Sequence, residues 1–240
     1  MDSSAAALSG TLEAMRDRFR TVTHNLANAN TVGFKKRRSL FAEMLADKTG
    51  GAAGGVTQTS AIDYTQGMAV QTDRPLDLCL TGEAFFALDT PDGRHYTRNG
   101  AFHLNPNRQL VDFAGRTVAG TGGPITLPAG ASPADVSVSR NGRLTANGVA
   151  FGQLAITRFE NRDLLRPQGG NVFLAPEGAG PVDAEPEAFS IQQGFQEGSN
   201  VAVIEELVDL IMVSRLYEAN LKSVTRQDDS AKHILGVAMA

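Results

Sequence analysis

Few residues of this sequence have the types and spacing that metal binding or catalysis requires. The chain contains four histidines: His24, His95, His103 and His233. None of them has metal-ligand spacing with another histidine, with the single cysteine or within a His-Glu-x-x-His arrangement. No Gly-x-Ser-x-Gly stretch marks a nucleophilic serine. The sequence therefore predicts no catalytic residue, no metal and no cofactor, and the chain is not expected to be an enzyme.

One enzymatic alternative stays open because it depends on carboxylates that can be distant in sequence. Asp89 and Asp112 lie in a segment with an alternating strand pattern, and a β-rich hydrolase can work with two acids. The sequence does not show whether two carboxylates meet in space.

Two further features favour structural readings over chemical ones. Cys79 lies in the apolar stretch LDLCLTG, where no nearby His or Lys would activate a thiolate, so we expect a small strand residue. The GGAAGG stretch at residues 50–55 lacks the lysine and hydroxyl that a P-loop needs after its last glycine, since Lys48-Thr49 comes before it.

Composition excludes some classes of partner. The 240 residues are 42% hydrophobic and carry a net charge of −4, which is enough chain for one sizeable core or two small ones. An acidic chain is not expected to bind nucleic acid, whose phosphates attract a basic face. No apolar run reaches the length of a membrane span, so no integral membrane protein is expected. Charged residues interrupt the first thirty positions, so no cleaved secretory signal is expected: Glu13, Arg16, Asp17 and Arg18.

The two ends of the chain have the apolar periodicity of helices. At the N-terminus, larger apolar residues are spaced 4, 3, 4, 3 and 4 apart, as in a coiled-coil seam: Leu8, Leu12, Met15, Phe19, Val22 and Leu26. A second helix is predicted from about residue 200 to 235, with Ser199 or Asn200 as its cap. Its stripe includes Leu207, Leu210, Tyr217, Leu221 and Val224.

Between the helices the sequence indicates a different kind of structure. Short alternating runs from about residue 68 to 189 are broken by turn residues such as Pro91-Asp92-Gly93, Asn141-Gly142 and Asn147-Gly148. We expect an α+β protein with a helical domain at residues 1–34 and 200–240, an extended or mobile linker at 35–67 and a central β domain at 68–199. The β domain is expected to be a twisted antiparallel sheet or barrel.

Neither terminal helix is expected to be stable with its apolar stripe in water. Pairing of the two helices as a coiled coil is the simplest solution, and packing of both helices on the β domain is the alternative.

Three stretches resemble the axial proteins of the bacterial flagellum, the rod and hook subunits. Residues 25–38, NLANANTVGFKKRR, are similar to an Asn-Leu-Ala-Asn block followed by Thr-x-Gly-Phe-Lys. Residues 75–120 resemble a segment with Gly-x-Gly-Phe-Phe and Tyr-Thr-Arg-x-Gly-x-Phe, and residues 193–222 resemble a segment with Ser-Asn-Val and Arg-x-Tyr-Glu. One departure is Gly82-Glu83-Ala84, where the second glycine is replaced and a different local turn is expected.

Within this family the rod class is favoured. The length and the RPLD and GGPITLP stretches are most similar to proximal-rod members, whereas EELV at residues 205–208 is closer to distal-rod sequences. A distal-rod or hook subunit is therefore one alternative. A β ligand-binding module or hydrolase with a helical oligomerisation stalk is an alternative of another class.

The resemblance implies a structural subunit of the flagellar basal-body rod. Such a subunit is exported through the flagellar type III apparatus without a cleaved signal, polymerises in the periplasm with other rod subunits and carries torque from motor to hook. Its terminal helices would line the inner tube as a coiled coil, with the β domain outside.

The resemblance also gives individual residues a role. The two stripes named above would pack against each other and against neighbouring subunits. A corner after the first helix would turn the chain outward, with Gly33 in the left-handed conformation: Asn25, Asn28, Gly33, Phe34 and Lys35. Residues 35–38 are expected to face acidic patches on adjacent subunits, and a solvated basic loop is the alternative.

Overall fold

The structure, a computed structural model, describes the backbone of residues 2–43 and 56–238 and the side chains of residues 10–39, 60–223, 225 and 226. The chain forms two compact units. The first, the helical unit, comprises Met1–Ala27, Arg37–Asp63 and Val201–Ala240, and the second, the β unit, comprises Asn28–Lys36 and Tyr64–Asn200.

Two α-helices and a series of short strands make up the described chain. The helices are α1 (Asp2–Ala27) and α2 (Val203–Ala238). In chain order the strands are β1 (Arg37–Glu43), β2 (Val56–Ile62), β3 (Ala69–Gln71), β4 (Leu78–Gly82), β5 (Ala84–Thr90), β6 (Gly93–Thr97), β7 (His103–Leu104), β8 (Leu110–Val111), β9 (Thr117–Gly120), β10 (Gly123–Pro124), β11 (Val136–Val138), β12 (Arg143–Ala146), β13 (Val149–Gln153), β14 (Ile156–Phe159), β15 (Arg166–Pro167), β16 (Val172–Leu174), β17 (Pro181–Asp183), β18 (Phe189–Gln193) and β19 (Phe195–Glu197). Three-residue 3₁₀ turns lie at Pro133–Asp135, Arg162–Leu164 and Glu177–Ala179.

In the helical unit α1 and α2 contact each other in antiparallel directions. Asn220 Nδ2 lies 3.4 Å from Met15 Sδ, whereas Asn25 Nδ2 donates to Glu206. Between these contacts the Arg18 guanidinium lies 3.6 Å from the Asp209 carboxylate. Residue numbers thus rise along α1 as they fall along α2.

Residues 37–43 and 56–62, within the expected linker at residues 35–67, form two strands. Strands β1 and β2 pair antiparallel from Arg37↔Ile62 to Glu43↔Val56. β-Branched Val, Thr and Ile residues in β2 favour the extended conformation, and pairing supplies hydrogen bonds for the backbone. The GGAAGG stretch lies outside the described residues.

The predicted start of the second helix is also corrected. Helix α2 begins at Val203, and the Glu206 N–H donates to the Ala202 carbonyl. Glu205 and Glu206 lie in the first turn as expected, where their negative charges interact favourably with the positive end of the helix dipole. Asn200 uses its amide in the β unit instead.

The β unit is built from antiparallel strands. Its largest sheet has ten strands in the described chain, with the main order β15-β16-β6-β5-β9-β8-β7 and with β14, β17 and β10 attached to its sides. The smaller sheets are β11-β12-β13, β18-β4 and β19-β3. Buried side chains from these sheets form one core, whose largest members include Phe86, Phe102, Leu80, Leu88 and Leu144.

Local turn chemistry determines the hairpins. Asn147 and Gly148 both have positive φ, 50° and 81°, and they connect β12 to β13 directly after the Ala146↔Val149 pair. Two-residue loops of this kind require positive φ at both positions, which Asn-Gly accepts. The hairpin predicted here and the one at Pro91-Asp92-Gly93, between β5 and β6, are confirmed.

Candidate assembly interface

Asn25 connects three pieces of the helical unit. Its Oδ1 accepts a hydrogen bond from the Arg37 N–H at 2.9 Å, and its Nδ2 donates to the Arg37 carbonyl at 2.9 Å. The same Nδ2 donates to Glu206 Oε2 at 3.2 Å. Asn25 and Glu206 are buried. One amide therefore holds the last turn of α1 against the start of β1 and the first turn of α2.

Gly33 lies in the β unit, where its backbone conformation and its surroundings both require glycine. Its φ is +66°, and a Cβ would lie 2.6 Å from backbone atoms of Arg98 and Asn99. Its N–H donates to the Glu197 carbonyl at 2.6 Å. The predicted left-handed conformation is confirmed, and its role in subunit assembly stays a prediction.

Phe34 is buried beside Gly33, and a short turn precedes the pair. The Thr31 N–H donates to the Asn28 carbonyl at 3.0 Å, and the Thr31 hydroxyl donates to Asn28 Oδ1 at 3.1 Å. Asn28 thus contributes both its carbonyl and its side chain to this turn.

A buried ionic cluster lies next to this corner, and we name it the Glu197 cluster: Lys35, Arg98 and Glu197. Lys35 Nζ lies 2.6 Å from Glu197 Oε1, and Arg98 Nε lies 2.9 Å from Glu197 Oε2. All three side chains are almost fully buried. A charge removed from water must be paired and hydrogen-bonded, which this arrangement achieves.

Hydrogen bonds to the backbone complete the cluster. The Gly67 N–H donates to Glu197 Oε1 at 3.0 Å, and Lys35 Nζ donates to the Thr65 carbonyl at 2.7 Å. The Arg98 guanidinium also donates to the carbonyls of Leu80, Gly82 and Ala84. The two cations thus have one carboxylate and a set of carbonyl dipoles around them.

These contacts correct the expectation that Lys35 faces a neighbouring subunit, because its charge is used inside the β unit. Arg38, in the helical unit, pairs with Asp63 at 2.5 Å and keeps more than half of its side chain exposed. Lys36 donates its backbone N–H to Asn200 Oδ1 at 2.7 Å. The sequence did not identify Arg98 and Glu197 as part of a cluster with Lys35. The signal that was available is that each is a charged residue within a family-like segment, residues 75–120 for Arg98 and residues 193–222 for Glu197.

The predicted helical stripes are unevenly buried. Val22 is buried, and Leu12, Met15 and Leu26 are partly buried. Phe19, Leu207, Tyr217 and Leu221 are exposed, and Leu210 is partly buried. The side chains of Leu8 and Val224 lie outside the described residues. The most buried apolar residue of α2 in the described range is Val213, which the sequence analysis did not include.

Much of α2 presents apolar side chains to solvent, with Ile204 79% exposed. We name this set the α2 apolar face: Val203, Ile204, Leu207, Val208, Ile211, Met212, Leu216, Tyr217 and Leu221. So many exposed apolar side chains on one helix indicate an interaction surface in a soluble protein. No helix in the described part of the chain is both long and apolar enough for a membrane span.

A groove also lies between the two helices, and we name it the α1–α2 groove. Its volume is about 320 Å³. It is lined by Met15, Arg16, Phe19, Val213, Ser214, Tyr217 and Glu218.

The possible catalytic groups have structural partners. Asp89 pairs with Arg94 at 3.2 Å, and Asp112 pairs with Arg116 at 2.6 Å, so each carboxylate is neutralised within its own hairpin. The described side chains, those of residues 10–39, 60–223, 225 and 226, include no group of three that could hold a metal ion. Cys79 is fully buried in β4 as predicted, and burial raises the pKa of its thiol.

Comparison with known proteins gives these surfaces a context. The chain is 33% identical to the flagellar basal-body rod protein FlgG of Agrobacterium fabrum, over 92% of this chain and 93% of that protein. It is 32% identical to the rod protein FlgF of Rhizobium meliloti, over 91% and 90% of the two chains, and 33% identical to FlgF of Mesorhizobium japonicum, over 96% and 94%. The chain belongs to the flagellar basal-body rod protein family.

Three family models match this rod-family chain in separate segments. Residues 7–35 match the flagella basal body rod protein model, residues 79–146 the flagellar hook protein FlgE/F/G D1 domain, and residues 192–237 the C-terminal domain of the flagellar basal body rod FlgEFG proteins. Each segment contributes one member of the Glu197 cluster: Lys35, Arg98 and Glu197. The cluster therefore joins all three family segments inside the β unit.

Proposed function

We propose that this chain is a structural subunit of the flagellar basal-body rod, and that it polymerises with copies of itself and with other rod subunits into the shaft that transmits torque from motor to hook. Membership of the family supports the rod assignment. The α2 apolar face supports polymerisation, because it is a surface that an isolated subunit leaves in water.

The energetics favour a partner for this face. Complete burial of a Val, Leu, Ile or Met side chain contributes about 1.5–3 kcal/mol. Members of the α2 apolar face such as Ile211 and Met212 are about half exposed, so covering each one stabilises an assembly by roughly 1 kcal/mol. Several neighbours along one helix together offset part of the entropy cost of association.

We further propose that α1 and α2 act in the rod as a coiled coil. The 4-3 spacing of the α1 stripe and the contacts of α1 with α2 at Met15 and Asn25 support this pairing. The terminal domain would then comprise residues 1–34 and 200–240, joined by the β1–β2 hairpin, and residues 68–199 would form the outer β domain.

The remaining parts of the proposal follow from the family. The subunit would pass through the flagellar type III export apparatus without a cleaved signal and assemble in the periplasmic part of the basal body. Relatives named FlgG and FlgF match over most of the chain at similar identity, so the proposal is made for the rod as a whole.

The test uses the source bacterium with its own gene for this chain deleted and variants supplied in trans. Ile204→Asp combined with Ile211→Asp should abolish swimming and leave basal bodies without a complete rod, because charges then replace the centre of the α2 apolar face. The matched control is Val149→Asp, at an exposed β-unit position, which should swim normally. Unchanged swimming and intact rods in the double variant would overturn the proposal.

Two further variants, one at the corner and one in the α1 stripe, test the same proposal outside α2. Gly33→Val and Leu26→Asp should also abolish rod assembly, and circular dichroism of the purified chains would show whether the fold survives. Normal motility of either variant would contradict the role assigned to the corner and to the α1 stripe.

A further inference from the structure

We propose that the α1–α2 groove of one subunit receives the first turns of α2 from another copy of the same chain. The inserted side chains are Ile204, Val208 and Ile211, and Arg16 beside the groove pairs with Glu205 of the inserted helix. This inference rests on the proposed function and specifies one contact of the polymer.

The groove has the chemistry of a receptor for apolar side chains. Met15, Phe19 and Val213 provide apolar lining, and Arg16 and Glu218 provide charged lining. Water fills a groove of this volume, about 320 Å³, when the groove is open to solvent. Replacing such water by apolar side chains is favourable, because apolar surface leaves water on both partners.

The inserted residues form a narrow strip on one helix. Ile204, Val208 and Ile211 follow the i, i+4, i+7 pattern that places side chains on one face. Their exposed fractions are 79%, 50% and 54%. The strip is thus available at the start of α2, before the part of the helix that lines the groove.

A chain cannot insert this strip into its own groove. The groove is lined by Val213, Ser214, Tyr217 and Glu218 of the same α2. Position 204 precedes position 214 by about 15 Å along a continuous helix, at 1.5 Å per residue. Strip and groove are therefore separate surfaces of one subunit, and a second copy must connect them.

Charge complementarity selects the orientation. Arg16 keeps 64% of its side chain exposed and lies 3.9 Å from the exposed Glu13, a separation at which an ion pair contributes little. Glu205 is exposed next to Ile204. The groove has Arg16 on its α1 side and Glu218 on its α2 side, so the favourable orientation places Glu205 on the α1 side.

The contact is heterologous, since strip and groove are different surfaces. Repetition of a heterologous contact gives an open helical polymer unless the rotation closes a ring. A two-fold symmetric dimer would instead bring the same surface of each copy together.

The experiment uses charge reversal in the full-length chain, expressed in the deletion strain. Arg16→Glu alone and Glu205→Arg alone should each reduce swimming and cross-linked polymer strongly, because like charges then meet at every contact. Coexpression of the two variants should restore both, because each groove then finds a strip of opposite charge on the other variant. The double variant R16E/E205R in one chain should also restore assembly.

Cysteine pairing gives a second measurement. Cys79 is fully buried, so thiols introduced at the surface are expected to react selectively. Ile204→Cys in one copy and Ser214→Cys in another should form an intermolecular disulfide in basal bodies, whereas Ile204→Cys alone should not. A disulfide between two Ile204→Cys copies would overturn the inference in favour of a symmetric contact.

The two proposals can fail separately. Rods that form normally with each single charge reversal would overturn the groove contact and leave the rod assignment intact. Failure of coexpression and of R16E/E205R to recover swimming would also overturn the groove contact, provided that circular dichroism shows folded variants. The variants Gly33→Val and Leu26→Asp, which lie outside both the strip and the groove lining, test the rod assignment independently.

Discussion

The helical unit and the β unit use apolar residues in opposite ways. The β unit buries most of its large apolar side chains, with one core whose members extend from Leu78 to Ile191, although single residues such as Met68 and Phe113 are exposed. In the helical unit, the α2 apolar face remains exposed and Phe19 of α1 is 42% exposed. The β unit is thus complete as a folded body, whereas the helical unit has an apolar surface that another chain can cover.

Because of this difference, residues of the β unit are required for the stability of the single chain, whereas residues of the α2 apolar face are required for association between chains. Substitutions in the β unit are expected to change the free energy of unfolding of the single chain. Substitutions on the α2 apolar face are expected to change association and to leave the single chain nearly unaffected. The following predictions test that separation.

The largest effect is expected from Glu197→Gln in the β unit. Removing the carboxylate charge that Lys35 and Arg98 share leaves two buried cations without this counter-charge, which costs about 3–5 kcal/mol. Urea unfolding followed by circular dichroism measures the loss. The control is Glu83→Gln, whose carboxylate is 72% exposed and lies 2.8 Å from Arg162; its effect should stay below about 1 kcal/mol. Equal losses for both variants would contradict a special role for the cluster.

A matched pair of aliphatic truncations compares the two units directly. Leu88→Ala removes a fully buried side chain from the core and should destabilise the monomer by about 2–5 kcal/mol. Ile211→Ala, at a position that is 54% exposed, should change monomer stability by about 0.5 kcal/mol or less and still reduce rod assembly. Urea midpoints and motility, measured on the same two variants, check both halves. A large stability loss for Ile211→Ala would show that this residue is buried within one molecule.

Two glycines with positive φ separate conformational strain from steric contact. Gly115, at φ +81°, has open space where a Cβ would lie, whereas Gly33 faces the backbone of Arg98 at 2.6 Å. The left-handed conformation costs about 1–2 kcal/mol for an alanine at either position. Gly33→Ala should therefore lose more than Gly115→Ala, by at least about 1 kcal/mol. Equal unfolding free energies would mean that the neighbouring backbone moves aside without cost.

The smallest effects concern pH, and their signs differ between the units. In the helical unit, burial and the nearby Arg37 charge lower the pKa of His24 below 6.5. The unfolded chain then binds the proton more readily, so the stability that neutral His24 contributes is lost as pH falls through 6.5 toward the lower folded pKa. In the β unit, burial and the Glu197 charge raise the pKa of Cys79 above 9.0. Its contribution is present below pH 9.0 and is lost as pH rises toward the folded pKa.

Amide hydrogen exchange, read separately for residues 10–39 and 70–190, measures this contrast. Acidification from pH 7.5 to 5.5 should weaken protection of α1 more in the native chain than in His24→Gln. Alkaline pH should weaken β4 more in the native chain than in Cys79→Ala. Identical pH profiles for variant and native chain would contradict the corresponding assignment.

Short sequence patterns predicted the helices, a hairpin and the left-handed glycine, because each of these depends on residues that are adjacent in the sequence. The apolar spacing indicated both terminal helices, Asn147-Gly148 indicated a hairpin, and the glycine in NTVGFK indicated the left-handed residue at the corner. Each of these depends on a few adjacent side chains and on backbone sterics. Periodicity did not identify Val213 as the buried residue of α2, because the apolar residues there extend over more than one face.

The Glu197 cluster was not predictable from local pattern. Lys35 and Glu197 are 162 positions apart in sequence, and a KKRR stretch is typical of an exposed surface. Only the pairing of distant strands brings a carboxylate to Lys35. The β1–β2 hairpin was missed for a related reason, since its register depends on a partner strand and its two strands are separated by a small-residue stretch.

Asn200 has a mechanical consequence. Its backbone N–H donates to the Phe34 carbonyl, its Oδ1 accepts from the Lys36 N–H, and its Nδ2 donates to Thr65. The chain passes between the units at residues 27–28, 36–37, 63–64 and 200–201. The hydrogen bonds of Asn200 tie together the chain segments next to the last three of these crossings. Tension applied at any one of them is shared with the other two before it reaches the sheet. Under a twisting load, the strands of the β unit next to Asn200 would therefore be loaded together rather than separated one at a time.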